Sequence, residues 1–386
     1  MKENQPWAVV SDVEGPLKNG KYDGAKHIME TLVKRKLMTQ EEMDTATGKF
    51  DEHDDNKDRV QRFVWSNSKY PILGLRPRWS TGTLPGIAIC YAARAGLKQS
   101  EVYEMTKAGD VATPGANEFL IETKEKEIPI YLLTSAEPSV SLRLGKEMGI
   151  PSSRIYSMGY RPSPERLAEY DKNPNPEAEA EERSMLNRLL PHRTELESWF
   201  PVFIKTSVEW EAAYEAGSTE DMLALELEQS ELFNTSTYTD EFLKVMRDLY
   251  LHQKVLKGSH QKGEDVHAIA RNGYRVIYIG GNIVDTMPAL VAGAWEGYGI
   301  AVNSTSDDLN YAADLLLGTT DMRAMNLLRD DITKGLVDVH VINHKYSNCN
   351  EYTAFLFSGI DFRNNPEDVM AEMRGFKSAV KKRYSA

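Results

Sequence analysis

Residues 7–17 read WAVVSDVEGPL, and this stretch decides how the rest of the chain is read. Trp7 to Val10 form a short apolar run, Asp12 stands just past its end, and Glu14 follows two positions later, ahead of Gly15 and Pro16. An apolar run this short, closed by turn residues, reads as a strand buried on both faces. Charged groups just beyond the carboxyl end of such a strand sit where open α/β sheets bind ligands. The glycine and proline beyond them shape a turn that can aim both carboxylates at one spot. The plainer alternative is an aspartate that merely caps a turn, and this stretch alone does not choose between the two.

The chain has 386 residues, enough for more than one domain and a sizeable core. Its net charge of −12 argues against a nucleic-acid binder, which needs clustered Lys and Arg. The basic end (Lys377, Lys381, Lys382, Arg383) is short and reads as a solvated helix end. The two cysteines, Cys90 and Cys349, lack CxxC spacing, which points to a reducing compartment without a disulfide framework. No basic-then-apolar leader and no membrane-length apolar run is evident, so the expectation is a cytoplasmic protein with no membrane or nucleic-acid partner. Oligomeric state is left open, a homodimer being one option.

Two further segments read as buried strands ending in small or polar residues, IPIYLLTS (128–135) and YRVIYIGGN (274–282). Weaker strands are RIYSMGY (154–160) and GIAVN (299–303), and helical patterns alternate with them. Alternation of this kind predicts a parallel, doubly wound sheet. Two long helical segments interrupt it. The first carries a Pro/Gly/Arg-rich loop at 71–86, and the second opens with DKNPNPEAEAEER (171–183), which its prolines and acids mark as a loop or linker. Insertions after strand ends overhang the carboxyl edge of a sheet, where they can cover a site.

The strand ends carry compatible chemistry. Asp12 and Glu14 come from the first, Thr134 and Ser135 from the second, and Gly281, Asn282 and Asp285 from the third; Lys262 starts the helix before that third strand. A carboxylate, a hydroxyl, a lysine and a second acid suit phosphoryl transfer: the carboxylate attacks phosphorus, and the hydroxyl and lysine hold its oxygens. Lys262 is preferred to Lys254 and Lys257 because it precedes a helix N-terminus, whose N–H groups favour anions.

In these segments the chain resembles the haloacid dehalogenase (HAD) superfamily of hydrolases. AVVSDVE matches the first motif, YLLTS the second, the lysine-initiated QKGEDVHAIARNG the third and, in part, GGNIVD the fourth. DTMPALVAGAWEGYGIAVN and LNYAADLLL are similar to the phosphoserine-phosphatase-like branch, supplying a small-residue helix, the last core strand and a closing helix. The opening DVEGP also resembles a mainly archaeal branch labelled energy-converting hydrogenase subunit R. The resemblance implies an α/β fold with a HAD-like doubly wound parallel sheet built from 1–20, 126–160 and 257–317. It implies a helical cap at 21–125, a second helical insertion at 161–256 and a mostly helical extension at 318–386.

The resemblance further implies a Mg²⁺-dependent phosphatase acting on a small anionic monoester. Asp12 is the implied nucleophile, Glu14 the general acid and base, and Thr134 and Lys262 the phosphoryl anchors. Asp12, the Glu14 carbonyl, Asp285 and Asn282 are the implied metal ligands, with Ser135 and Gly281 beside the substrate. Two positions depart from the pattern. The second acid is Glu14 where the family has aspartate, and Gly281 stands where its metal-binding aspartate usually sits. The departures keep two other readings open: a dehalogenase- or phosphonatase-type hydrolase, and a HAD-fold binding protein without turnover.

Other candidates are weaker. Arg76, Arg78 and Trp79 in the first insertion would clasp an anionic substrate and stack on a ring, although solvated loop arginines are the commoner case. DEHDDNKD (51–58) fails the spacing of a calcium loop at its glycine and its final acid. His340, His344 and Cys349 lie on a strand-like run (336–344) and just beyond it, so the two histidines would not share the spacing of a zinc site.

Overall fold

The computed structural model describes residues 5–18, 24–48, 83–107, 109, 111–251, 255, 257–304, 306–319, 321–336 and 355–357. The apolar runs form the strands β1 (Trp7–Ser11), β2 (Ile130–Leu133), β3 (Ile155–Tyr156), β4 (Arg275–Gly280), β5 (Tyr298–Val302), β6 (Leu315–Gly318) and β7 (Phe355–Phe357). They lie side by side in the order β3-β2-β1-β4-β5-β6-β7. Neighbours from β3 through β6 run parallel, and β7 closes one edge antiparallel to β6. The chain is thus an α/β protein.

Both faces of the central strand are buried, as its unbroken apolar character requires. Val9 packs with Ile130, Leu132 and Ile277 on one face, while Ala8 and Val10 pack with Leu133, Val276 and Tyr278 on the other. Each such valine contributes about 1.5–3 kcal/mol relative to an exposed one. Successive strands β2 and β3 lie to one side of β1, and β4 to β6 to the other. The strand order therefore reverses between β1 and β4, and open sheets of this winding bind ligands at the carboxyl ends flanking that reversal.

Three local expectations change. LNYAADLLL does not close as one helix: Asp307–Ala312 is helical, but Leu315–Gly318 leaves it as β6 and pairs with β5. The acidic, proline-broken stretch 171–183 is not a linker. Pro164–Lys172 and Pro176–Arg183 are helices, the second started by Pro176 in its first turn and by Asn175, whose side chain accepts from the Ala178 N–H. Most of the strand-like run 336–344, including His340 and His344, lies outside the described residues, as do Cys349 and the 51–58 segment.

The two long helical insertions share one hydrophobic core. Residues Ile28, Ile87, Ile89 and Val102 of the first belong to the same buried cluster as Leu186, Trp199, Phe203 and Phe242 of the second. Tyr91 meets Phe200 edge-on at 5.1 Å between ring centroids. Cys90 Sγ lies 3.3 Å from the Tyr250 hydroxyl, and the Ser184 hydroxyl donates to Gln99 Oε1 at 2.8 Å. Among the described residues, no helix is long and apolar enough to cross a membrane.

Candidate active site

The register of β1 against β4 builds the site. Ser11 pairs with Ile279, and the Asp12 N–H then donates to the Ile279 carbonyl at 2.8 Å, which sets Asp12 beside Gly280. A β-carbon on Gly280 would stand 2.3 Å from Asp285 Cβ, so only glycine lets the Asp285 side chain fold back over the strand end. Gly15, at φ +99°, turns the chain after Glu14, in the left-handed region open to glycine. The Thr113 hydroxyl pins this turn by donating to the Gly15 carbonyl at 3.1 Å.

Three charged side chains converge there, all buried. Lys262 Nζ lies 3.1 Å from Asp12 Oδ1 and 2.7 Å from Asp285 Oδ1. Lys262 comes from the helix Ser259–Arg271, which packs against Thr286–Ala294 with Gly263 at the closest approach. Both recorded contacts of the Asp12 carboxylate fall on Oδ1, which also accepts the Val13 N–H at 2.8 Å. Among the described residues Oδ2 has no hydrogen-bond partner.

Asp285 is saturated. Its Oδ1 accepts from Lys262 and from the Tyr278 hydroxyl (2.6 Å), and its Oδ2 accepts the backbone N–H groups of Gly281 (2.9 Å) and Asn282 (3.0 Å). These donors fill the sites a carboxylate offers. Burial, reinforced by the Asp285 charge, holds the Asp12 carboxyl well above the ordinary carboxylate range, with Lys262 opposing. Burial acts to discharge Lys262, but Asp12 and Asp285 outweigh it and keep its pKa above the usual lysine value.

The other expected residues are placed less centrally. Thr134 is fully buried, and its hydroxyl accepts the Ala136 N–H at 2.9 Å; no hydrogen bond joins it to Asp12 or Lys262. The Ser135 hydroxyl donates to the Lys257 carbonyl at 2.6 Å. Glu14 is half-buried and lines a cavity of about 30 Å³ with Ile28, Pro85 and Ile89 of the first insertion and Glu137 of the core. That volume admits ordered water and excludes a substrate. Arg76, Arg78 and Trp79 lie outside the described residues.

Two participants were not singled out from the sequence. Tyr278 reads as core within RVIYIG, and the only hint is a phenol on a strand with no polar neighbour, since buried tyrosines find a partner for the hydroxyl. Glu137 is buried at the start of the helix Pro138–Glu147, accepts from the Ser139 N–H and hydroxyl and from Gln99, and has its pKa raised by burial. Its position as a helix N-cap before a proline is the readable signal.

The expected Mg²⁺ ligand set does not fit this geometry. Asp285 has no oxygen left over, Gly281 has no side chain, and Asn282 Oδ1 keeps one neutral lone pair after accepting the Ile283 N–H at 2.6 Å, too little to replace an anion at the site. Among the described residues, no group of three or more His, Cys, Asp or Glu side chains is disposed to hold a metal ion. The ammonium of Lys262 occupies the place between the two aspartates.

No family model and no curated protein matches the chain. Among solved structures it is similar to gene product AF1437 from Archaeoglobus fulgidus, at a TM-score of 0.57 and 14% sequence identity, over 98% of this chain and 97% of that one. At that identity the likeness speaks for the fold alone, and it extends through the helical insertions as well as the sheet.

Proposed function

We propose that the chain is a HAD-type hydrolase that works through a covalent ester on Asp12, with a small phosphate monoester as the first substrate class. One observation carries this reading: a buried carboxylate at the strand-order reversal has one oxygen fixed by Lys262 and the Val13 N–H and the other without a hydrogen-bond partner among the described residues. Asp12 Oδ2 attacks phosphorus, the bond to the ester oxygen breaks, and Glu14 gives that oxygen its proton. Water from the cavity beside Glu14 then attacks phosphorus as Glu14 takes its proton, releasing phosphate and freeing Asp12. Lys262 has three N–H donors and two are engaged by the aspartates, so one remains for a phosphoryl oxygen. Asp285 and Tyr278 act through Lys262 as positioning residues.

The same cluster favours a second reading. With Asp12 ionised for attack, the formal charges of Asp12, Asp285 and Lys262 sum to −1, and a phosphate monoester adds up to two negative charges to it. A carbon electrophile, as in a haloacid, meets less repulsion: Asp12 attacks carbon as the carbon–halogen bond breaks and halide leaves, and water then hydrolyses the ester at its carbonyl carbon to release the hydroxyacid and free Asp12, with no cation needed beyond Lys262.

A panel of phosphate monoesters and 2-haloacids, assayed with and without Mg²⁺, tests both readings. Turnover of either class that is abolished by Asp12→Asn supports the hydrolase, and the class turned over chooses the reading. The absence of turnover on both, with no mass increment trapped on Asp12, would leave a binding protein.

A further inference from the structure

A second polar cavity lies beyond the carboxyl end of β3. It measures about 140 Å³, and its walls include Tyr156, Ser157, Arg161, Arg183, Val255 and Lys257. β3 is two strands from β1, so at the usual strand spacing the cavity sits roughly 10 Å to the side of Asp12. It is roomy enough for a tetrahedral oxyanion with company, more than a lone water needs.

Its walls are built for negative charge. The Arg161 guanidinium stacks 3.8 Å from the Tyr156 ring centroid and spends its recorded hydrogen bonds on the carbonyls of Ile155 (3.1 Å) and Ser153 (2.5 Å). No carboxylate answers it among the described residues. Arg183 is buried and pairs with the equally buried Glu179, and Lys257 pairs with Asp265 at 2.8 Å. Three cations against two carboxylates leave a net charge of +1 on a chain whose overall charge is −12. Burial, together with the nearby Arg161 charge, draws Arg183 below the ordinary guanidinium value against the pull of Glu179. Two guanidinium groups this close are relieved by an anion between them.

One buried donor at this cavity also lacks a partner: the Ser157 hydroxyl, on a residue 4% exposed, makes no hydrogen bond among the described residues, whereas the Arg183 Nε–H, which also makes none, has the Glu179 Oε1 of its own ion pair nearby. An unpaired buried polar group is costly and marks a place where a ligand or water supplies the missing acceptor. The cavity floor is held firmly: Gly159, at φ +102°, donates to the Val255 carbonyl, and Tyr160 donates to the Arg183 carbonyl. We propose that this cavity is an oxyanion site for phosphate or a carboxylate, with Ser157 and Arg183 as buried donors and Arg161 and Lys257 as its charge. The assignment is independent of the chemistry at Asp12.

Titration calorimetry with inorganic phosphate at fixed ionic strength tests it, on the full chain and on Ser157→Ala, Arg161→Gln and Lys262→Met, each shown to be folded by circular dichroism at the working temperature. Ser157→Ala removes an unpaired hydroxyl and so leaves the fold intact, yet it weakens phosphate binding about 10-fold, the worth of one hydrogen bond to a charged acceptor. Arg161→Gln weakens it further, and Lys262→Met, which alters the Asp12 cluster two strands away, leaves this binding event unchanged. Equal affinity in the native chain, Ser157→Ala and Arg161→Gln would overturn the proposal. So would no detectable phosphate binding, or loss of all binding in the folded Lys262→Met variant alone. An α,ω-alkyl bisphosphate of roughly 10 Å span then distinguishes the source. Tighter binding that both Ser157→Ala and Lys262→Met weaken identifies the second acid of one ligand, and no gain over phosphate identifies a free oxyanion.

Discussion

Replacing Lys262 with methionine should destabilise the chain in a way that grows with pH. At an effective dielectric constant of 20, its contacts at 3.1 and 2.7 Å represent gross attractions of about 5 and 6 kcal/mol, before desolvation and the Asp12–Asp285 repulsion are subtracted. Removing one partner of a buried ion pair costs about 3–5 kcal/mol, because the remaining charge has no compensation. At about 2–4 °C per kcal/mol for domains of moderate size, the melting temperature falls by roughly 6–20 °C at pH 8.

The sign of the pH dependence follows from the linked titrations. In the native chain the lysine pKa is raised, so its stabilisation is complete below the ordinary lysine value and is lost only above it; it is constant between pH 5 and 8. In the variant Asp12 and Asp285 face each other without a cation. The folded-state pKa of Asp12, already raised by burial and by the Asp285 charge, rises further once Lys262 no longer opposes them. The penalty is therefore absent below the unfolded carboxylate pKa and grows by up to about 1.4 kcal/mol per pH unit until the folded value is passed. Thermal unfolding followed by circular dichroism at pH 5, 6, 7 and 8 measures it, and Asp285→Asn on the same background should recover part of the loss. A penalty that is constant across this range, or below about 1 kcal/mol at pH 8, would refute the shared-cation account.

Three further outcomes are expected. Tyr278→Phe removes a buried 2.6 Å hydrogen bond to the Asp285 carboxyl group and should cost about 1–3 kcal/mol in chemical denaturation; a loss under about 0.5 kcal/mol would mean that Asp285 does not need it. Gly280→Ala places a β-carbon 2.3 Å from Asp285 Cβ, so Asp285 must leave its donors, and activity should disappear with about 1–3 kcal/mol of stability; a fully active, equally stable variant contradicts the packing. Glu14→Gln should lower turnover of alkyl phosphates about 10²–10⁴-fold while affecting formation of the Asp12 ester from p-nitrophenyl phosphate much less, because that leaving group needs no proton; equal losses in stopped-flow and steady-state assays would remove the general-acid role.

The strands and their parallel winding were legible because an apolar run closed by turn residues has few other uses. Asp12, Lys262 and Asp285 were legible as a set because they stand at segment ends that a doubly wound sheet brings together. What Asp285 faces was not legible. Its four donors come from the helix of Lys262, the interior of β4 and the turn it closes, and only the fold-back over Gly280 assembles them. The stretch 171–183 looks like a linker because proline breaks most helices, yet Pro176 occupies a helix's first turn, where its missing N–H is not needed. Leu315–Gly318 follows alanines that favour a helix, and pairing with β5 overrides that local preference.

The joint core of the two insertions constrains how this architecture can be altered. Each segment supplies one half of a surface that the other half seals: Cys90 and Tyr91 come from before β2, Phe200 and Tyr250 from after β3. Excising residues 161–256 would bare the apolar flank of Thr83–Arg94 to water, and excising the earlier segment would do the same to Arg193–Glu215. Neither is a dispensable decoration that could be trimmed to reach a minimal sheet. They stand or fall together, so a homologue lacking one should lack both, and a chain shortened at either place should aggregate instead of simplifying.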